Sequence, residues 1–217
     1  MQQRGRGTDR NAVWAFTEEF PQESDDLRAA RRAAQSLGAD AVSAQVASLL
    51  TVLAATKNAQ NVLEIGTGAG VSTVALLEGM QPGTAMTTVD IDASRIQRAR
   101  TIIMESRLGK NHRVRTITGD AQQVLPRLST GSYDLALVDV SSNITELTVY
   151  QALALLKAGG LLVVHNALNA GSVANPAARD ETTAAHRRMI NDIAECTDDV
   201  YVSLLHAESG VYLVYKR

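Results

Sequence analysis

From Asn61 onward the chain alternates between short apolar runs and longer amphipathic ones, and this rhythm constrains the fold more than any other feature. "NVLEIG" is followed by a helix from about Val71, and "AMTTVDI" by a helix over "SRIQRARTIIMESRLG". "VRTITG" leads into a short helical "AQQVLPRL", and "YDLALVDV" into a helix over "TELTVYQALALLKAG", before the run "GLLVVHN". Strand-length runs separated by helix-length periodic segments are repeated βα units, which build a parallel sheet with helices on both faces. The rhythm then breaks. "VYVSLLHAESGVYLVYKR" reads as strand, Ser-Gly turn and strand with no helix long enough for a crossover, so the last strand runs antiparallel.

Upstream, "SDDLRAARRAAQSLG" opens on Ser24 with acidic residues behind it and closes on Gly38, a helix with its start and stop signals. Arg28, Arg31 and Arg32 read as its solvated face. "SAQVASLLTVLAATK" is a second helix, apolar enough to lie against a sheet. Trp14 and Phe16 in "AVWAF" fall outside any long periodic element and read as a hydrophobic anchor onto the domain. Before them, Gly5 and Gly7 interleave with Arg4, Arg6 and Arg10, the pattern of a mobile arm. The expected organisation is one domain over 1–217, with an arm at 1–12, N-terminal helices over 13–60 and an α/β core over 61–217.

Composition narrows the function. A formal net charge of -2 offers no general attraction to phosphate backbones or anionic membranes, so neither nucleic acid nor a membrane is an expected partner. The single cysteine, Cys196, forms no internal disulfide and no Cys-based zinc site, and "MQQRGRGTDRN" lacks the apolar core of a signal peptide. The expected location is cytoplasmic.

"VLEIGTGAGVST" sets Gly66, Gly68 and Gly70 between a strand and a helix, where missing side chains let the backbone turn sharply and approach a ligand. Asp90 ends the next strand, where a carboxylate accepts hydrogen bonds from the ribose hydroxyls of an adenosine-containing ligand. The spacing is G-x-G-x-G preceded by Glu64, which departs from the G-x-G-x-x-G of dinucleotide binders.

"EIGTGAGVST", "VDID", "GDA", "YDLALVD", "LLKAGGLLVVHN" and the Gly-x-Val-Ala-Asn-Pro-Ala-Ala-Arg-Asp run at 171–180 together resemble the S-adenosylmethionine-dependent O-methyltransferases of the catechol and caffeoyl-CoA type, from about Ser43 to the C-terminus. The resemblance implies an α/β class I methyltransferase fold: a Rossmann-like, mostly parallel seven-stranded sheet with an antiparallel C-terminal hairpin and helices on both faces. It also implies S-adenosyl-L-methionine as cofactor, a small hydroxylated, aromatic acceptor and a homodimer. Gly66, Thr67, Gly68 and Gly70 would form the loop beside the methionine part, with Ser72 and Glu64 near its carboxylate and amino groups. Asp90 would hold the ribose, Ile91 would pack on the adenine, Gly119, Asp120 and Ala121 would border its edge, and Val42 would line the same pocket. Ser72 and Asp120 also suit plain helix-terminal roles.

The chemistry departs from that family. Methyl transfer is an in-line displacement whose acceptor oxygen is activated by a divalent cation or by a side-chain base. The resemblance implies a metal held by an Asp and an Asp-Asn pair, helped by a Lys. Here Asp139 and Asn166 keep the first and last positions, His165 replaces the second Asp, and Ser142 falls where the Lys would be. His165, Asp139 and Asn166 are the candidate catalytic residues, all at strand ends on the ligand-facing edge of the sheet, and Asp139 is also a candidate cofactor-binding residue whose carboxylate would favour the positive sulfonium. Three readings of His165 stand open: a general base, a ligand selecting Mn, Zn or Fe over Mg together with Asp139 and Asn166, or a histidine merely hydrogen-bonded in a site that no longer transfers methyl groups. The competing functions are a cofactor-binding homologue with lost catalysis and an NAD-dependent oxidoreductase. Trp14 and Tyr150 are the aromatic residues available to wall a substrate, and His112, His186 and His206 read as surface or satisfied positions. Asp180 reads as the cap of a helix whose Arg187 and Arg188 form a solvated face.

Overall fold

The computed structural model describes residues 9–217. Seven strands, β1 (Asn61–Ile65), β2 (Ala85–Asp90), β3 (Arg113–Thr118), β4 (Tyr133–Val138), β5 (Leu156–His165), β6 (Val200–Leu205) and β7 (Val211–Lys216), pair in the order β3-β2-β1-β4-β5-β7-β6. The first five run parallel, and β7 lies antiparallel between β5 and β6. The sheet expected from the sequence is the sheet observed.

Period-two alternation divides the core into two layers. Val62, Leu135, Leu137 and Val163 face α2 (Asp25–Ser36), α3 (Ala44–Lys57), α4 (Val71–Gly79) and α5 (Ala93–Glu105). Their neighbours Leu63, Ile65, Ala136, Val138, Leu162 and Val164 face the opposite layer, with α7 (Ala121–Val124), α8 (Thr145–Leu155) and α9 (Glu181–Glu195). Ser24, Ser43, Asp92, Asp120 and Asp180 each cap the helix that follows by accepting a backbone N–H. Among the described residues, no helix is long and apolar enough to cross a membrane.

Several local expectations are corrected. Residues 10–12, expected in a mobile arm, and Trp14 and Phe16, expected outside any long element, belong to α1 (Arg10–Glu19), which Asp9 caps by accepting from the Asn11 N–H at 3.0 Å. Trp14, Phe16 and Phe20 are 46%, 67% and 69% exposed, so they do not anchor this segment in the core. The remainder of the expected arm, 1–8, lies outside the described residues.

The helix expected to reach Gly159 stops at Leu155. Gly159 has φ 76°, and the β4–β5 register shifts between Tyr133 and Leu135, so Leu156–Gly160 form an irregular strand entrance. Lys216 Nζ donates to the carbonyls of Leu153 and Leu156 at 2.9 Å each, satisfying backbone at the helix exit. The long helix expected over 94–109 also breaks, into α5 and a short α6 (Leu108–Asn111), where the Ser106 hydroxyl accepts from the Leu108 N–H at 3.1 Å.

Two arginines read as solvated are latches. Arg31 pairs with Glu23 and donates to the Val42 carbonyl at 2.9 Å, while Arg187 donates to the carbonyls of Val173 and Ser172 at 3.0 and 3.1 Å. His112 is buried and contacts the Thr84 hydroxyl at 3.0 Å, and His206 is exposed. His186 is fully buried with Nδ1 at the Thr182 carbonyl and no partner for Nε2, so it is only half satisfied.

Candidate active site

The site forms where β1 and β4 lie side by side but send α4 and α8 to opposite faces, opening a crevice at the carboxyl ends of the strands. Gly66 leaves β1 with φ 97°, and a Cβ there would lie 1.7 Å from the Asp139 carbonyl oxygen, so glycine is the only residue that lets the two strand ends touch. Its N–H donates to the Val89 carbonyl at 2.8 Å, which draws the loop toward β2. Asp90 then fixes the loop: one oxygen accepts from the Gly68 N–H at 2.8 Å and the other from the Asp92 N–H at 2.9 Å.

The sequence-derived cofactor residues divide into two groups. Gly66, Asp90, Ile91, Gly119, Asp120, Ala121 and Asp139 line one cavity of about 330 Å³. Ile91 is 74% exposed there, an apolar side chain left open at a cavity wall. Gly68 lines a second, adjoining cavity, which shares Gly66, Asp90 and Asp139 with the first. Asp120 also caps α7, accepting from the Gln122 N–H at 3.0 Å, so both of its roles coexist.

The other group is buried. Glu64 is fully enclosed and accepts hydrogen bonds from Ser72, Thr73 and Thr88 at 2.6, 2.6 and 2.5 Å; Thr67 contacts the Thr88 hydroxyl at 2.5 Å. Glu64 and Ser72 therefore bind each other beneath the glycine loop, and neither lines either of these two cavities. Val42 is also buried, and Gly70 starts α4 with φ 95°. Arg95, at the wall of both cavities, was not read from the sequence, where it is one of several arginines on a charged helix.

His165 stands between two carboxylates. Nδ1 lies 2.8 Å from Asp139 Oδ1 and Nε2 lies 3.2 Å from Glu208 Oε2, while the side chain is only 10% exposed. The Glu208 contact is poorly aligned, leaving Nε2 without a formal hydrogen bond, so charge attraction is its main content. Glu208 sits in the β6–β7 turn with φ 49°, and the antiparallel register that pairs His165 with Val211 brings this turn over the strand end. The same Glu208 oxygen accepts from the Ser43 N–H at 2.8 Å, tying the start of α3 to the site. Glu208 was missed in the sequence reading.

Asn166 explains why the strand ends on an amide. It takes φ 52°, a conformation asparagine tolerates, and its Oδ1 accepts from the Ala170 N–H at 2.9 Å to close the turn. Its Nδ2 donates to Ser142 Oγ at 3.2 Å, so the residue at the expected Lys position braces Asn166.

Burial opposes charge on His165, but the bonds and attraction of Asp139 and Glu208 outweigh it and push the pKa up to about 10. Burial raises Glu208 too, yet its contacts with His165 and the Ser43 N–H prevail and hold it below the usual carboxylate range. Burial of Glu64 is opposed by its three hydroxyl donors and still pushes the pKa up to about 7.

Both raised values mean that the folded state holds protons more tightly than the unfolded chain. The Glu64 contribution is full below about 4.5 and lost as pH rises through about 7; the His165 contribution is full below about 6.5 and lost through about 10. Thermal melts should therefore show stability falling from pH 5 to pH 9. Glu64→Gln should remove the portion between pH 5 and 7, worth at most about 3 kcal/mol. An unchanged pH slope in that variant would show that Glu64 is not the titrating group.

The groups that would hold a divalent cation are engaged within the protein. Asp139 Oδ1 is engaged by His165, Asn166 Oδ1 by the Ala170 N–H, and both ring nitrogens of His165 face carboxylate oxygens. Among the described residues there is no group of three or more His, Cys, Asp or Glu side chains arranged to hold a metal.

Comparison with known proteins fits this geometry. An O-methyltransferase family model matches residues 21–217. A probable O-methyltransferase of Mycobacterium tuberculosis is 39% identical over 184 residues, covering 85% of this chain and 82% of its own. Among solved structures, the O-methyltransferase TomG from Streptomyces achromogenes, determined in complex with S-adenosylmethionine, superposes with TM-score 0.82 at 25% identity, covering 96% of this chain and 99% of its own. A Corynebacterium glutamicum protein gives TM-score 0.84 at 27% identity, covering 95% and 96%. With a family model spanning nearly its whole length, this chain belongs to the O-methyltransferase family.

Proposed function

We propose that the protein is an S-adenosylmethionine-dependent O-methyltransferase that methylates a hydroxyl of a small molecule without a divalent cation. The observation that carries this reading is a pair of joined cavities, one walled by Ile91 and Asp120, the other by His165 and Glu208, with Gly66, Asp90 and Asp139 in common. In this reading Asp90 holds the ribose, Ile91 covers the adenine, and Gly119, Asp120 and Ala121 border its edge. Gly66, Thr67, Gly68 and Gly70 shape the loop beside the methionine part. Glu64, Ser72 and Val42 act from beneath, as supports of that loop and of the start of α3.

When bound, the cofactor supplies a sulfonium methyl: the acceptor oxygen forms the new C–O bond as the C–S bond breaks, the electron pair stays on sulfur, and the hydroxyl proton passes to a protein base. Asp139 suits that role better than His165. Its second oxygen has no hydrogen-bond partner among the described residues and its side chain reaches both cavities, whereas His165, held protonated to about pH 10, has no lone pair to offer. His165 positions Asp139 through Nδ1, and Asn166 holds the turn that follows.

Neither Trp14 nor Tyr150 lines the cavities, so the aromatic acceptor implied by resemblance finds no stacking wall among the described residues. A homodimer and a cytoplasmic location belong to the same proposal; the exposed Tyr201, Val202 and Leu204 of the edge strand β6 support the first.

Incubation with methyl-labelled S-adenosylmethionine and a library of small hydroxylated compounds should label at least one acceptor, with no loss in EDTA. Transfer abolished by EDTA and restored by Mn2+ would contradict the metal-free reading. Cofactor binding without transfer to any acceptor would favour a homologue that has lost catalysis.

A further inference from the structure

The cavity on the His165 side measures about 470 Å³ and differs in chemistry from its neighbour. Its non-glycine apolar lining is Ala41, Val140 and Ala170; no phenylalanine, tyrosine, tryptophan, leucine, isoleucine or methionine lines it among the described residues. Four acidic residues line it, Asp40, Asp90, Asp139 and Glu208, against Arg95 and His165. Asp90 already accepts from the Gly68 and Asp92 N–H groups, and Arg95 lies 3.5 Å from Asp92. Asp40 is exposed and has no hydrogen-bond or ion-pair partner among the described residues. His165 adds a side chain nine-tenths buried whose Nε2 lacks a formal hydrogen bond.

Carboxylates remain in excess whether or not His165 carries its proton. The methionine part of the cofactor brings one net positive charge, and an uncompensated carboxylate still remains. An acceptor carrying a carboxylate or phosphate would add to this negative field, and a neutral one would leave it unrelieved; a cation answers it.

Resting on the methyltransferase reading, we propose that the acceptor is a small hydroxylated amine, its ammonium received by Asp40 and Glu208 and its hydroxyl turned to Asp139. Two features support this placement. Glu208 accepts from the Ser43 N–H three residues beyond Asp40, which ties its turn to the segment that brings Asp40 to the same cavity. The lining is otherwise hydroxyls and an amide, from Ser141, Ser142, Ser209 and Asn166, which suits a polar molecule rather than a flat ring.

The test is calorimetric binding to the protein saturated with S-adenosylhomocysteine, using two matched sets: glucosamine, glucose and glucuronate, then dopamine and caffeate. The ammonium-bearing member of each set should bind at least about tenfold more tightly than its anionic counterpart, the scale of one partly screened charge pair. Asp40→Asn should narrow that gap to below about threefold while leaving the affinity for S-adenosylhomocysteine unchanged. Neutral or anionic members binding as tightly as the amines, or no member binding to the saturated protein, would overturn the proposal and leave the transferase reading intact. Failure of S-adenosylhomocysteine itself to bind would overturn both, so the two failures are distinguishable.

Discussion

Gly66→Ala is expected to be the most damaging single substitution in the loop, destabilising the fold by about 4 kcal/mol or more and abolishing cofactor binding. Its Cβ would lie 1.7 Å from the Asp139 carbonyl oxygen and 2.7 Å from the carbonyl carbon, so the clash is with the backbone that leaves β4 and no rotamer relieves it. The left-handed φ of 97° adds strain. Because Asp139 N–H also donates to the Ile65 carbonyl at 2.8 Å, pushing the strand ends apart breaks sheet pairing at the crevice. Thermal melts should show a drop in Tm on the order of 10 °C or more. Gly38→Ala is the control: φ is 57° but nothing lies within 4 Å of the added carbon, so its cost should be strain alone, about 1–2 kcal/mol. Equal effects at the two positions would mean that close approach at Gly66 does not matter.

Asp139→Asn should be the most damaging change to the chemistry, lowering kcat/KM by about 10³-fold with affinity for S-adenosylhomocysteine changed only a few-fold. The amide cannot take a proton from the acceptor, and it cannot balance the imidazolium that the carboxylate holds at 2.8 Å. His165 should then titrate at lower pH, visible in its ring proton resonances, since one of its two carboxylate partners has lost its charge. By contrast, if His165 were the base, wild-type kcat/KM would rise tenfold per pH unit toward the histidine pKa, about 10. Retention of full activity in Asp139→Asn would remove the carboxylate from the mechanism.

Much of this molecule is legible in its sequence because the determinants are local. Strand-length apolar runs, capping residues at Ser24, Ser43 and Asp180, and glycines between β1 and α4 each act over a few residues, and together they fix the layers and the crevice. That β5 ends at His165 was readable for the same reason. Burial was not readable: Glu64 and Ser72 look like ligand contacts because both are polar and near the glycines, yet they satisfy each other beneath the loop.

Glu208 escaped for a different reason. It lies in "HAESG", which has no motif of its own, and its partners Ser43 and His165 are 165 and 43 positions away in the chain. A signal did exist: if "VYLVYKR" runs antiparallel beside "LLVVHN", the turn before it must end next to His165, so its acidic residue is a candidate neighbour. The start of β5 at Leu156 depends on a register shift against β4, a long-range pairing that overrides the helical pattern of "QALALLKAG".

Calorimetric titration of the wild-type protein with S-adenosylhomocysteine, beside NADH and an Asp90→Ala variant, tests the central claim most directly. Saturable one-to-one binding of S-adenosylhomocysteine, weakened by about tenfold or more in Asp90→Ala and absent for NADH, is the result expected of a carboxylate that fixes both the loop and the ribose. A folded protein that binds no S-adenosylhomocysteine, or that binds NADH in its place, would contradict the account.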